Sequence, residues 1–471
     1  MALTDEQIAR LISDVTSGYA GGTITKAPIA SVDDGVFDNM NDAVDAAQRA
    51  QKALISLSLE KRAEIIAAMR KAARENAASL GEMAHSETGY GNAADKTVKN
   101  LLAANKTPGL EDLRPMTYTG DYGLTLVEPA PFGVIGSITP STNPTATVIN
   151  NALSMVTAGN AVVFNTHPAA KRVSCEAVRL LNAAIASAGG PRNVLCTVAE
   201  PTLDSSKELM AHKKIALLAV TGGEAVVGVA MKSGKKCIAA GPGNPPVVVD
   251  DTANLKKAAE DIIKGAGFDN CILCIAEKEI LAFDAIADRL LAQLGEAGAY
   301  VASATELEKI LAVTVIKNED GSFSPNKKFI GKPANVILRA AGIMPDRGYK
   351  IITGETAFAH PFVGTEMLMP VLPLARVRNL DDAIEKALIA EHGYHHTAMM
   401  HSENVHSLTA MARAVDTTIF VKNAPSYAGL GMSGEGYATL TIATPTGEGL
   451  TSAKNFTRSR RCTLYGSFRI I

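Results

Sequence analysis

Residues 133–165 read GVIGSITPSTNPTATVINNALSMVTAGNAVVFN, and this stretch decides the fold class of the chain. Its ends, GVIGSI and AVVFN, are short apolar runs typical of strands, and the segment between them has helical length. The alternation continues with helical RVSCEAVRLLNAAIASAGG, the strands NVLCTVA and IALLAV, helical EAVVGVAMKSG and the strand PPVVVD. Strands buried on both faces and joined by helices are typical of a doubly wound parallel sheet. The same alternation resumes after residue 275, which predicts a second α/β domain.

Composition excludes several classes of protein. The 471 residues are too many for one compact core. With 46 basic and 48 acidic side chains, the chain has no basic surplus for nucleic acid or anionic lipid. No apolar run approaches the ~18–20 residues that span a bilayer, and the first residues do not resemble a secretory signal. We therefore expect a cytoplasmic protein without a nucleic acid or membrane partner.

Two of the six cysteines lie three apart in GAGFDNCILCIAEK, residues 265–278. A structural zinc site needs four N or S ligands, usually in two close pairs, so Cys271 and Cys274 alone predict no metal. The remaining cysteines are scattered singly: Cys175, Cys196, Cys237 and Cys462. A transient disulfide, an inert packing thiol and a nucleophile all remain open for the pair, because periodicity does not distinguish them.

Glycine- and proline-bearing turns follow three of the predicted strands, at 139–144, 165–168 and 220–227. A doubly wound sheet binds its ligand outside the carboxyl ends of its strands, and a helix starting near Gly223 could offer N–H groups to a phosphate. None of the turns has the GxGxxG fingerprint, so ordinary strand-to-helix turns explain them equally well. By spacing alone, Asn143 is better explained as a helix cap than as a donor aimed into the crevice.

The N-terminus is predicted to be an amphipathic helix over residues 1–19, followed by a glycine-rich linker over 20–36. Such a helix either packs on its own domain or docks its apolar face into a groove on a partner. Composition does not choose between these two interpretations.

Several motifs occur in order along the chain: SETGYG (86–91), TPSTNPTATVINNA (139–152), HPAAK (167–171), VTGGEAVV (220–227), AAGPGNPPVVVDD (239–251), GFDNCILCIAEK (267–278), HPFVGTEMLMPVLPL (360–374), HHTAMMH (395–401) and TPTGEGLTSAKNF (444–456). On these motifs the sequence resembles the CoA-acylating aldehyde dehydrogenases. Within them it is similar to the ethanolamine- and propanediol-utilisation enzymes of bacterial microcompartments.

The resemblance implies an α/β fold of aldehyde dehydrogenase type with three parts. A Rossmann-type domain that binds NAD and coenzyme A would comprise residues 37–114 and 132–240. An α/β catalytic domain would comprise residues 241–430. A small β oligomerisation element would combine residues 115–131 with 448–471, which implies a homodimer or a tetramer.

The resemblance also implies the roles of individual residues. Cys274 would be the nucleophile, and Cys271 occupies a place where relatives carry Asn or Gly. The side-chain amide of Asn143, with the backbone N–H of Cys274, would stabilise the charged oxygen of the intermediate. The residues matching the family's cofactor contacts are Thr139, Pro140, His167, Pro168, Thr221, Gly222, Gly223 and Glu366.

The reaction implied is NAD-dependent oxidation of acetaldehyde or propionaldehyde to the acyl-CoA. Ala240 stands where hydrolytic relatives carry the Glu that activates water, so a thiol is the expected acceptor. A hydrolytic aldehyde dehydrogenase and a non-catalytic protein that associates with a microcompartment are the alternatives. Relatives use helices like residues 1–19 as encapsulation signals, which favours docking to a shell protein and a location inside a microcompartment.

Overall fold

The computed structural model describes residues 34–471. The described residues form two compact units. The first comprises residues 34–87, 97–240 and 437–471, and the second comprises residues 88–96 and 241–436. The predicted N-terminal helix and all but the last three residues of the predicted linker lie outside the described residues, and residue 36 of that linker belongs to a strand.

Helices and strands alternate through both units. The helices are α1 Met40–Ile55, α2 Leu59–Glu75, α3 Ala77–Thr88, α4 Ala93–Lys106, α5 Pro144–Thr157, α6 Lys171–Ser187, α7 Leu203–Ala211, α8 Glu224–Met231, α9 Leu255–Gly267, α10 Ala287–Ala297, α11 Ala304–Thr314, α12 Ala334–Ala340, α13 Leu380–Glu391 and α14 Val405–Val415. The strands are β1 Val36–Phe37, β2 Met116–Gly120, β3 Gly123–Pro131, β4 Val134–Ile138, β5 Ala161–Asn165, β6 Leu195–Val198, β7 Ile215–Thr221, β8 Lys236–Ala240, β9 Pro246–Val249, β10 Glu279–Phe283, β11 Ala299–Val301, β12 Val315–Lys317, β13 Phe323–Pro325, β14 Ile351–Glu355, β15 Val371–Val377, β16 Thr397–His401, β17 Ile419–Lys422, β18 Ile442–Ala443, β19 Gly449–Leu450 and β20 Thr457–Tyr465. Among the described residues, no helix is both long and apolar enough to cross a membrane.

The first unit is built on a parallel sheet with the strand order β1-β6-β5-β4-β7-β8. Every residue of β4 and β5 is buried, as expected for strands covered by helices on both faces. The strand order reverses beside β4, because β5 and β6 follow on one side while β7 and β8 follow on the other. In doubly wound sheets, such a switch point is where a ligand binds.

The second unit contains a parallel sheet with the order β11-β14-β15-β10-β9-β16-β17. The alternation of strands and helices alone placed β9 at the end of the first run and missed β8, whereas the domain boundary after residue 240 was taken from the family resemblance. In the structure β8 is the last strand of the first sheet, and the glycine- and proline-rich residues 241–245 separate it from β9. The apolar strand β9 lies between β10 and β16, where both of its edges are paired.

Residues 88–96 correct the predicted domain boundaries, since sequence placed them in the cofactor domain and the structure groups them with the second unit. The backbone N–H of Gly91 donates to the carbonyl of Gly331 at 2.9 Å. The N–H of Asn92 donates to the Asp269 carboxylate at 2.8 Å, and Lys96 pairs with the same carboxylate at 3.1 Å. These bonds tie the segment to the second unit.

A separate antiparallel sheet of the first unit has the order β2-β3-β20. It pairs the ribbon that was predicted around residues 115–131 with the C-terminal segment, in a register that sets Cys462 opposite Leu126 and Leu464 opposite Leu124. Phe468, which falls within the predicted element of residues 448–471, lies beyond the end of β20.

Candidate active site

The loop between α9 and β10, residues 268–278, contains both clustered cysteines and is called the cysteine loop here. Three consecutive residues in it have left-handed backbone conformations, with φ of 47° at Asp269, 56° at Asn270 and 62° at Cys271. Asp and Asn tolerate this region, whereas a residue such as Cys loses about 1–2 kcal/mol in it. The surrounding contacts must therefore hold the loop in place.

Asp269 and Asn270 supply those contacts. The Asp269 carboxylate is fully buried; it accepts from the Asn92 N–H and from the Lys96 ammonium. The side-chain amide of Asn270 donates to the carbonyls of Gly91 and Gly331, at 3.2 and 2.9 Å. The motif SETGYG thus acts in part as the anchor of the cysteine loop.

Lys278, a buried residue of the second unit, binds the backbone of the cysteine loop. Its side chain is only 1% exposed, and its ammonium donates to the carbonyls of Cys271 and Leu273 at 3.1 and 3.0 Å. A third contact, at 3.5 Å, reaches the Cys271 sulfur. The lysine therefore binds the backbone on both sides of Ile272.

The two thiols of the cysteine loop have different surroundings. Cys271 is completely buried, and its Sγ also donates to the Glu277 carbonyl at 3.4 Å. Cys274 is partly exposed, and within residues 34–471 all cysteines are free thiols. Burial raises the pKa of both thiols. Cys271 thus has the character of a packing residue, whereas Cys274 is the partly exposed residue of the pair.

The pKa of the Cys274 thiol is affected by groups that raise it and by groups that lower it. Burial raises the pKa of this thiol to about 11, and the Glu366 carboxylate adds to the rise. The Lys278 ammonium and the backbone N–H groups of Cys274 and Ile275 lower that pKa. Each of these groups favours the thiolate over the neutral thiol.

Removing the Glu366 charge is expected to speed alkylation of Cys274 several-fold. Burial raises the pKa of Glu366 to about 7, so its carboxylate opposes thiolate formation only above about pH 7. Alkylation by iodoacetamide should rise with pH in both proteins, with Glu366→Gln faster than wild type above pH 7 and equal to it at pH 6. The measurement is the rate at the Cys274 peptide without cofactor, with Glu355→Gln as the control carboxylate. Equal rates at all pH values would contradict the assignment.

Gly243 and His396 border the cysteine loop. A Cβ on Gly243 would lie 2.9 Å from the Cys274 carbonyl oxygen and 2.9 Å from the His396 ring, so this position requires glycine. The Gly243 N–H donates to Glu366 at 3.4 Å. His396 Nδ1 lies 2.9 Å from the Thr397 hydroxyl, and burial lowers the pKa of His396 to about 4, which keeps the imidazole neutral.

Further carboxyl groups are buried near Lys278. Glu277 accepts from the backbone N–H and the hydroxyl of Ser426 at 2.9 and 2.8 Å, and burial raises its pKa to about 7. Burial also raises the pKa of Glu279 well above its usual range, and neither of its oxygens has a hydrogen-bond partner among the described residues. Burial therefore favours the protonated form of the Glu279 carboxyl.

Asn143, in the first unit, occupies the N-cap position of α5. Within the described part of the chain its side chain makes no capping hydrogen bond, so the interpretation favoured by spacing was wrong. Instead, its Oδ1 accepts from the Lys99 ammonium at 2.5 Å, and its Nδ2 donates to the Thr142 hydroxyl at 3.3 Å. Pro144 at the first helical position starts α5 without help from the cap, because its φ suits the helix.

The predicted cofactor residues of the first unit follow three neighbouring strands at the switch point. Thr139 and Pro140 follow β4, His167 and Pro168 follow β5, and Thr221 ends β7. The Thr139 hydroxyl is buried and has no hydrogen-bond partner among residues 34–471.

Gly222 and Gly223 stand at the start of α8. Gly223 is its N-cap, and a Cβ there would meet open space, so the first N–H groups of the helix are accessible from that side. His167 is exposed and its Nδ1 accepts from the Ala169 N–H at 3.1 Å. An orphaned hydroxyl, a bare helix N-terminus and clustered strand ends fit a dinucleotide.

Sequence reasoning missed three residues that shape these surroundings: Lys99, Gly243 and Lys278. Lys99 and Lys278 are 3% and 1% exposed, although lysine is almost never buried. The spacing of Lys96 and Lys99 within AADKTVKNLL could have drawn attention to this helix, but nothing in the sequence names their partners.

Comparison with known proteins places these observations in a family. Residues 22–441 match the model of the aldehyde dehydrogenase family. Acetaldehyde dehydrogenase (acetylating) EutE of Salmonella typhimurium is 51% identical over 441 residues, covering 93% of this chain and 94% of the relative. The chain therefore belongs to the aldehyde dehydrogenase family, which confirms the fold class and the family resemblance expected from sequence.

Two solved structures are similar over nearly the whole chain. Propionaldehyde dehydrogenase from the Clostridium phytofermentans fucose-utilisation microcompartment has a TM-score of 0.90 at 49% identity, covering 93% of this chain and 100% of that one. Propionaldehyde dehydrogenase of Rhodopseudomonas palustris, with bound CoA and an acylated cysteine, has a TM-score of 0.89 at 48% identity, covering 92% and 99%.

Proposed function

We propose that the protein oxidises acetaldehyde or propionaldehyde to the corresponding acyl-CoA, reversibly, with NAD as the electron acceptor. The observation that carries this proposal is the partly exposed Cys274 on a loop held rigid from both sides. It is supported by relatives that are named acetylating or CoA-propanoylating dehydrogenases.

In the proposed reaction, the Cys274 thiolate attacks the aldehyde carbonyl carbon and forms a thiohemiacetal. The carbonyl oxygen gains negative charge in this step. The Asn143 amide and the Cys274 N–H are the proposed donors to that oxygen, as the family resemblance implies. Fixed donors of this kind stabilise the developing charge without reorganisation.

Bound NAD would supply a hydride acceptor, so loss of hydride from the thiohemiacetal carbon would leave Cys274 carrying the acyl group as a thioester. The residues proposed to hold NAD are Thr139, Pro140, His167, Pro168, Thr221, Gly222, Gly223 and Glu366. The thiolate of coenzyme A then attacks the thioester carbonyl, and the Cys274 sulfur leaves as the acyl group passes to CoA.

Ala240 accounts for the choice of CoA over water. It is the last residue of β8, is 4% exposed and presents a methyl group where hydrolytic relatives carry the Glu. Water without a positioned base loses about 10²–10⁴-fold in rate. A thiol ionises far more readily than water, so the acyl-enzyme is expected to survive until CoA arrives.

The proposal predicts that steady-state NADH formation requires CoA. With aldehyde and NAD alone, each chain should form about one NADH and then stop, because the acyl group blocks Cys274. Adding CoA should restore turnover and yield acyl-CoA. The measurement is NADH absorbance with C2–C4 aldehydes, with and without CoA, and equal sustained rates in both would indicate a hydrolytic enzyme.

We also propose a homodimer or a dimer of dimers formed through the sheet β2-β3-β20. This sheet exposes Tyr118 and Tyr465, and the turn between β2 and β3 exposes Tyr122. The ring centroids of Tyr122 and Tyr465 are 6.5 Å apart, and the rings are stacked. Large exposed aromatic groups are typical of an interface. Elution of the purified protein as a monomer would contradict this proposal.

The proposed location is the interior of a bacterial microcompartment in the cytoplasm, with residues 1–19 as the segment that binds a shell protein. Similarity to a microcompartment propionaldehyde dehydrogenase supports this location. A truncated protein that lacks residues 1–19 and is still retained in purified compartments would contradict the proposed role of this segment, and absence of the full-length protein from them would contradict the location.

A further inference from the structure

Lys99 holds the acceptor end of the Asn143 amide. It lies on α4 in the first unit, and its ammonium is 2.5 Å from Asn143 Oδ1. Because an ammonium only donates, the atom facing it must be the amide oxygen, and the NH₂ group must point away from Lys99. The lysine therefore determines which end of the amide is presented as a donor.

Lys278 holds the acceptor end of a second amide, the peptide between Leu273 and Cys274. Its ammonium lies 3.0 Å from the Leu273 carbonyl oxygen, which also accepts from the Ala276 N–H at 3.1 Å. In a planar trans peptide the carbonyl and the following N–H point in opposite directions. The Cys274 N–H therefore points away from Lys278.

Burial of each lysine costs desolvation free energy, which a hydrophobic side chain of similar volume would not lose. The hydrogen bonds of the Lys278 ammonium go to two backbone carbonyls and to the Cys271 sulfur, although Glu277 and Glu279 are buried nearby. Lys278 therefore stabilises the orientation of the peptides that follow Cys271 and Leu273 more directly than it stabilises the second unit as a whole.

We propose that Lys99 and Lys278 are positioning residues, each of which orients one donor amide toward the oxygen that becomes negatively charged during attack on the aldehyde. This inference rests on the proposed function, because it requires Cys274 as the nucleophile. It assigns the two lysines a shared role that acts through Asn143 and through the Cys274 peptide, without contact with the substrate.

The test compares two reactions of the same sulfur in Lys99→Met and Lys278→Met. Aldehyde oxidation with NAD and CoA develops an oxyanion, whereas alkylation by iodoacetamide displaces iodide and does not. We expect kcat to fall about 10- to 100-fold in each variant, somewhat less than the loss of a whole donor. KM for NAD should change less than about twofold, since neither lysine is among the proposed cofactor residues.

The alkylation rate is the internal reference. Lys99→Met should alkylate at the wild-type rate. Lys278→Met should alkylate more slowly, because the Lys278 charge lowers the pKa of Cys274. Its loss in kcat must then exceed its loss in alkylation rate by about tenfold or more. Cys271→Ala, which removes only the sulfur contact of Lys278, is the matched control and should keep kcat near wild type.

The inference would be overturned by equal losses in the two reactions or by failure of both variants to fold, because the lysines would then be structural. It would also be overturned by an unchanged kcat, because the lysines would then have no effect on the reaction. Should one variant not fold, the other still decides, since the two lysines belong to different units. Failure of the proposed function looks different: the wild-type protein itself would then form no NADH that depends on CoA.

Discussion

Cys274→Ala is expected to abolish CoA-dependent aldehyde oxidation, with a loss in kcat of about 10⁴-fold or more. The reason is that alanine has no atom that can form the thiohemiacetal or carry the acyl group. The backbone of the cysteine loop is held by Lys278, Asp269 and Asn270, so the substitution should not disturb it. The measurement is the steady-state rate of NADH formation, together with NAD binding as a check on the fold.

Cys271→Ala is the control variant for Cys274→Ala. Cys271 is only three residues from Cys274, but it is completely buried. Its sulfur contacts the Lys278 ammonium and the Glu277 carbonyl. Alanine there removes one buried sulfur and should leave kcat within a few-fold of wild type. The reverse pattern, with Cys271→Ala inactive and Cys274→Ala active, would show that the nucleophile has been misassigned.

Asn143→Ala is expected to lower kcat by about 10²–10³-fold, the effect of removing one donor to a developing oxyanion. Asn143 makes no capping hydrogen bond within the described residues, so α5 should not lose stability. The alkylation rate of Cys274 should stay at the wild-type value, because alkylation does not develop the charge that Asn143 is proposed to bind. Thermal unfolding, NADH formation and iodoacetamide labelling measure these three expectations.

Asn143→Asp separates two roles that alanine would remove together. The aspartate keeps the shape of the side chain and an oxygen for the Lys99 ammonium, but it lacks the NH₂ donor. We expect Asp to be as defective as Ala. If Asp retained activity, Asn143 would matter only as the partner of Lys99, and its proposed role as a donor would be wrong.

The fold could be predicted from the sequence where apolar runs and helical segments alternate without interruption. GVIGSI and AVVFN became β4 and β5, and both are fully buried as their composition indicates. The prediction from alternation alone failed at β8 and β9, because the glycines and prolines of residues 241–245 look like one turn within a domain. β9 pairs with β10 and β16, and β16 is distant in the sequence. The local sequence pattern does not predict which strands pair over such distances.

The candidate site was less predictable because its geometry depends on distant contacts. Motifs indicated Cys274 and Asn143, but the orientation of the Asn143 amide depends on Lys99, 44 residues earlier in the chain. The role of Lys278 was hidden for a different reason, since lysine in a sequence is normally interpreted as a solvated side chain. Only its burial beneath the cysteine loop reveals its hydrogen bonds to the backbone.

Mass spectrometry of the protein after incubation with propionaldehyde and NAD, in the absence of CoA, shows whether Cys274 carries the acyl group. We expect one propionyl group per chain, located on the peptide that contains Cys274 and removed as propionyl-CoA when CoA is added. A protein that produces NADH under these conditions but carries no acyl group on Cys274 would contradict this expectation.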